Sequence, residues 1–175
     1  MEFEIRSIRD RSDVRGVVIA HARAWRAAYD ELLPAAALDS VSVDPDPAEV
    51  DDWAATLEAA SDGVFVAVDP DDRVRGFVEL RWAPLETKAF VGENEAGLRA
   101  IYVDPAAWGQ GAGSALLARG LDAVPASIEA VRLEVFSANE RAIGFYEARG
   151  FTRTGTGEYE VAGDSYPTAI YTRPL

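Results

Sequence analysis

Leu98-Arg-Ala-Ile-Tyr-Val-Asp-Pro-Ala-Ala-Trp-Gly-Gln-Gly-Ala-Gly-Ser-Ala-Leu-Leu117 is the stretch on which the fold turns. Residues 96–103 read as a strand, ended by Asp104-Pro105. A helix from about Gly111 to Ala123 follows, with Leu116, Leu117 and Leu121 facing inward. Glycines at 109, 111 and 113 lie between the two. Without Cβ atoms, such a loop can bring successive backbone N–H groups close to an oxyanion, and the helix N-terminus adds partial positive charge. That chemistry binds phosphate without saying which phosphate compound.

Working outward, residues 2–9 alternate apolar and charged, as a strand does. From about Ser12 the period becomes helical, through Val14, Val17, Val18, His21, Ala24, Trp25, Ala28 and Leu32. Pro34 falls just after that stripe, and Val41–Glu49 is a loop by its Asp-Pro repeats. A second helix is expected over about Pro47 to Ala60. Val64–Val68 and Val74–Leu80 flank Asp69-Pro70-Asp71-Asp72 and read as a hairpin. Val131–Phe136 is a strand, Ala138–Arg149 a helix opened by a Ser137/Glu140 capping box, and 151–173 two closing strands. The order predicts a mixed α/β (α+β) sheet with helices on its faces, in one domain over 1–175.

Composition narrows the function. The chain has no cysteine and one histidine, which argues against thiolate or multi-histidine metal sites, disulfides and a cysteine nucleophile, so no metal is expected. No apolar run approaches the roughly 18 residues of a membrane span, and the charged, alternating start does not read as a signal peptide. A cytoplasmic protein without a membrane partner is the expectation. Thirty acidic residues against 17 basic give a net charge of −13, and Lys88 is the only lysine. Such a field disfavours nucleic acid. It reads as a salt-adapted, halophile-type surface, with an ordinary acidic protein as the other reading.

Three phosphate-binding readings compete at the loop. A P-loop needs lysine and a hydroxyl residue after the last glycine, whereas Gly113 is followed by Ser114-Ala115. The dinucleotide fingerprint is closer, since Glu134 stands about 20 residues on, where a ribose-binding acid is expected. Yet Pro105 and its neighbours separate the strand from Gly109, and too little chain follows for a second mononucleotide half. The third reading is a resemblance. The segment looks like motif A of the GCN5-related N-acetyltransferase family: strand, Val-Asp-Pro, glycine loop, helix. Trp108 stands where that family's loop usually opens with Arg or Gln.

A second stretch resembles the same family's motif B, an Asn…Ala…Phe-Tyr…Gly-Phe pattern matched at Asn139, Ala142, Phe145, Tyr146, Gly150 and Phe151. Helical spacing puts Asn139, Ala142, Ile143 and Tyr146 on one face. The resemblance implies an acyl-CoA N-acyltransferase fold, a mixed, mostly antiparallel sheet flanked by helices, and acetyl-CoA as cofactor. By position it assigns the coenzyme to Ile101, Tyr102 and Val103 of the strand, to Gly109, Gln110, Gly111, Ala112, Gly113 and Ser114 of the loop, and to Asn139, Ala142 and Tyr146. Trp108 is expected to pack on the cofactor.

The implied activity is acetyl transfer to a primary amine, of a small molecule or a peptide, by direct attack in a ternary complex. Tyr146 is the candidate acid for the departing sulfur and Glu79 the candidate base, with Glu95 a remoter option. Trp25 and Tyr29, one turn apart, are candidates to shape the acceptor site. Arg141 and Arg149 either meet a phosphate or pair with nearby glutamates. His21 sits on an apolar stripe and reads first as a core residue. A non-catalytic acyl-CoA-binding sensor is the alternative, and the oligomeric state is open, a homodimer included.

Overall fold

The computed structural model describes residues 1–175. Seven strands form one sheet: β1 (Glu4–Arg6), β2 (Val64–Val68), β3 (Val74–Arg81), β4 (Glu95–Val103), β5 (Ala130–Phe136), β6 (Thr152–Val161) and β7 (Asp164–Pro174). Their order is β1-β2-β3-β4-β5-β7-β6, and every pairing is antiparallel except β4 with β5. This overturns the dinucleotide reading, which requires a doubly wound parallel sheet.

Five helices complete the chain: α1 (Arg11–Ala28), α2 (Ala35–Leu38), α3 (Pro47–Ala59), α4 (Ala112–Ala123) and α5 (Glu140–Glu147). Asp10 caps α1 by accepting from the Asp13 amide at 3.0 Å, and Asp46 caps α3 through the Glu49 amide at 2.9 Å. On one face of the sheet Val14, Val17, Val50 and Leu57 pack on Val66 and Phe77. On the other, Leu116 and Leu117 of α4 join Val78, Leu80, Leu133 and Phe151, with Ile143, Phe145 and Tyr146 of α5 against them. A third cluster gathers Tyr29, Leu33 and Leu38 against Phe136. The β2–β3 turn is held by Asp69, whose carboxylate accepts from the amides of Asp71 and Arg73 at 2.9 and 3.0 Å and from Arg75 Nε at 2.6 Å.

Two local expectations are corrected. The single turn α2 was absent from the pattern, because four residues are too few to show a period. The last helix begins at Glu140, not Ala138, and its cap is Asn139, whose Oδ1 accepts from the Ala142 amide at 3.2 Å. Ser137 is unavailable for the capping box, since its own amide donates to the Pro167 carbonyl of β7.

The feature that positions the site is the β4–β5 pairing. It consists of Glu95 with Ala130, Ala96 with Val131 and Gly97 with Arg132, and then stops. Beyond Gly97, β4 remains paired to β3 through Val103 while its other edge departs from β5. The sheet therefore opens as a wedge between residues 98–103 and 133–136.

Candidate active site

A cavity of about 500 Å³ fills this wedge. Its floor is the open edge of β4, including Ile101, Tyr102 and Val103, and one wall is the loop and first turn of α4, with Trp108, Gly109, Gly111, Ala112, Gly113 and Ser114. Asn139, Ala142 and Tyr146 of α5 form the opposite wall, and Trp25 and Tyr29 of α1 close one end. Two expected residues lie elsewhere. Gln110 does not line the cavity; its side chain turns back to the Ala106 carbonyl at 3.1 Å. Glu79, expected to face an acceptor groove, also lies outside. It is 4% exposed, with Arg81 Nε at 2.7 Å and Arg99 Nε at 3.9 Å from its carboxylate. A bulge follows at Glu79/Leu80, and the carboxylate is held by arginines. Glu95, the remoter option, caps the turn before β4 by accepting from the Gly92 amide at 2.8 Å.

The loop has the character of an anion cradle. Gly109 and Gly111 have φ of +73° and +91°, a region that L side chains rarely adopt, and a Cβ at either would meet only open space. Glycine is needed here for the backbone turn and not for packing room. Gly111 opens α4 without any side-chain cap. No amide from Gly109 to Ser114 has a protein acceptor, and all of these residues but Gln110 line the cavity. Arg141 and Arg149 line the same mouth and neither forms an ion pair with a glutamate. Arg141 lies over the Trp108 ring at 3.9 Å, and Arg149 ties α5 to α4 by donating to the Phe145 carbonyl and to Ser114 Oγ. A pyrophosphate with a further phosphate fits this donor set. Trp108 also supports the loop, its Nε1 donating to the Val103 carbonyl at 2.7 Å.

Tyr146 stands deeper, its ring edge-on to Phe145 and Phe151. Its hydroxyl has no protein partner, and burial raises its pKa above the ordinary phenol value. It stays protonated and free to donate. Burial likewise raises Tyr29 and Tyr102, whose hydroxyls lie 3.4 Å apart.

Glu134, noted in the sequence only as a ribose-type acid in the rejected dinucleotide reading, belongs to the cavity. It is the sole carboxylate lining the cavity. Its Oε1 receives Lys88 Nζ at 2.6 Å and its Oε2 receives Thr168 Oγ1 at 2.8 Å. The available signal was alternation along β5: Val131, Leu133 and Val135 are buried toward α4, which turns Glu134 to the other face.

His21 is a core residue. It packs against Trp53, Phe77 and Tyr102 and does not line the cavity. Burial lowers its pKa to about 4. The unfolded chain takes up this proton near pH 6.5 and the folded chain refuses it, so the stability is intact above about pH 6.5 and lost as pH falls toward 4. The stability difference between the native chain and His21→Phe is expected to change by about 2–3 kcal/mol between pH 7 and pH 4. Urea melts at both pH values check this; a pH-independent difference overturns it.

Comparison with known proteins agrees with the geometry. The model of the acetyltransferase (GNAT) family matches residues 25–151. The uncharacterized N-acetyltransferase YuaI of Bacillus subtilis is 31% identical over 153 residues, 86% of this chain and 82% of that protein. The peptidyl-lysine N-acetyltransferase YjaB of Salmonella typhimurium is 32% identical over 104 residues, 59% of this chain and 60% of its own. The PaiA N-acetyltransferase of Thermoplasma acidophilum, solved with coenzyme A, shares the fold at a TM-score of 0.75 over the whole of both chains, with 19% identity. The matched region runs from within α1 through the wedge and α5 to Phe151, just before β6, and the chain belongs to the GNAT family of acetyltransferases.

Proposed function

We propose that this chain transfers an acetyl group from acetyl-CoA to a primary amine by direct attack in a ternary complex. One observation carries the reading: the loop of unpartnered amides at Gly109–Ser114 borders a cavity that also holds an unpartnered phenol and a carboxylate. Acetyl-CoA supplies an activated acetyl group as a thioester. The loop amides, with Arg141 and Arg149, hold its phosphates. The open edge of β4 offers main-chain donors and acceptors to the extended arm.

Chemistry at the amine requires removal of a proton, and Glu134, the cavity's carboxylate, takes it. Tyr146 donates to the departing sulfur. No cysteine is present to carry a covalent acyl intermediate. The acceptor end combines the aromatic residues Trp25, Tyr29, Phe136 and Tyr159 with Glu134, a surface suited to a cationic amine. The net charge of −13 attracts the same class of acceptor.

A coenzyme-A thiol-release screen over polyamines, amino acids, drug-like amines and lysine- or N-terminal-amine peptides tests this. Release with at least one amine class is expected. Acetyl-CoA binding without release on any amine overturns the enzyme reading in favour of a sensor. No helix is long and apolar enough to cross a membrane, consistent with a dissolved acceptor.

A further inference from the structure

The acceptor end of the cavity already contains an amine. Lys88 lies in the segment between β3 and β4, and its ammonium lines the cavity, paired with Glu134 at 2.6 Å and 5.1 Å from the centre of the Tyr159 ring. Carboxylate and aromatic face together are the recognition an external alkylammonium would receive. Lys88 therefore occupies the place of an acceptor. Its side chain is 49% exposed, so the pair is partly screened by water and contributes little to holding the lysine in place.

The choice of residue sharpens the point. Every other basic position in the chain is arginine. A guanidinium would pair with Glu134 at least as well and in a bidentate manner, but it stays protonated and is a poor acyl acceptor. The single lysine stands where an amine could react.

We propose that Lys88 is a self-acetylation site of this enzyme. The inference rests on the acetyl-CoA-dependent reading of the same cavity. Nζ gives a proton to Glu134 and forms a bond to the acetyl carbonyl carbon. The carbon–sulfur bond then breaks, and the departing thiolate takes the Tyr146 hydroxyl proton. The second proton shed by the acylated nitrogen restores the Tyr146 hydroxyl through solvent, while Glu134 releases its own proton to water. The products are Nε-acetyl-Lys88 and free coenzyme A. Because the loop tethers the amine at an effective concentration on the order of millimolar, the reaction proceeds within one chain. Acetylation removes the charge that holds Lys88 on Glu134 and leaves the carboxylate to an external amine.

The test incubates the full chain with acetyl-CoA carrying a deuterated acetyl group and locates the label by peptide mass spectrometry. One labelled acetyl on Lys88 is expected, at a rate per chain that does not change with protein concentration. It is absent in Lys88→Arg and slowed about 100-fold in Tyr146→Phe and in Glu134→Gln. Light acetyl already on Lys88 in the purified chain but not in Tyr146→Phe is the same result. Labelling that equals that of the heat-denatured chain, or that rises with protein concentration, overturns the proposal. Thiol release on external amines is measured in the same samples. Release with Lys88 carrying neither light nor labelled acetyl overturns self-acetylation alone; neither release nor acetylated Lys88 overturns the acetyltransferase reading with it.

Discussion

Tyr146→Phe lowers kcat by about 100-fold or more while acetyl-CoA affinity stays within about twofold. The side chain is edge-on to Phe145 and Phe151, and phenylalanine keeps those contacts, so the pocket retains its shape. What disappears is a hydroxyl without a protein partner, kept protonated by burial. A group free in the resting chain and needed when charge develops on sulfur acts on the transition state more than on binding. The loop proposed to hold the phosphates is a separate part of the cavity and is untouched. Steady-state thiol release together with calorimetric titration of acetyl-CoA separates the two quantities. A native kcat, or a loss of affinity that accounts for the whole effect, removes Tyr146 from the chemistry.

Glu134→Gln is expected to reduce kcat/KM by about 100- to 1,000-fold with little change in melting temperature. Glutamine preserves the length of the side chain and can still accept from Thr168 Oγ1. It cannot take a proton from an incoming ammonium. The partner lost in the fold is Lys88, which is half exposed, so folding is scarcely affected. The same change at Glu79 gives the opposite pattern, because that carboxylate is buried against Arg81 and behind Arg99 and does not itself line the cavity. There the melting temperature falls and the rate per folded molecule holds. Rates and melts of the two variants, measured side by side, assign the base. A Glu134→Gln enzyme of native rate overturns the assignment.

The contrast between these two glutamates marks how far the sequence could be read. Strands and helices announce themselves by local period, and the loop at 109–113 by glycines whose positive φ is a local demand. Motif order then supplied the pairing of α4 and α5 around a shared cavity. The acceptor side depends instead on contacts between distant positions. Lys88 and Glu134 are 46 residues apart, and Glu79 meets Arg99 across a bulged register that no pattern in β3 reveals. Glu134 was visible as the polar member of an alternating strand, but its position about 20 residues after the glycines suggested a ribose contact. Only the strand order, with β5 splayed from β4, turns it into the cavity. Trp108 is similar: its departure from the family pattern is plain in the sequence, while its bond to the Val103 carbonyl required the folded loop.

The three residue pairs that join β4 to β5 also govern how the molecule holds together. Four strands on one side and three on the other meet at a short seam, and the rest of that boundary is cavity. A ligand lying along the open edge bridges the two halves and has no counterpart site in the unfolded chain. Its binding energy is thereby added to folding, by about 2.7 kcal/mol when its concentration is 100 times its dissociation constant. A molecule that binds along the open edge would thus act as a second fastener, beside the α4 core that already spans both halves of the sheet.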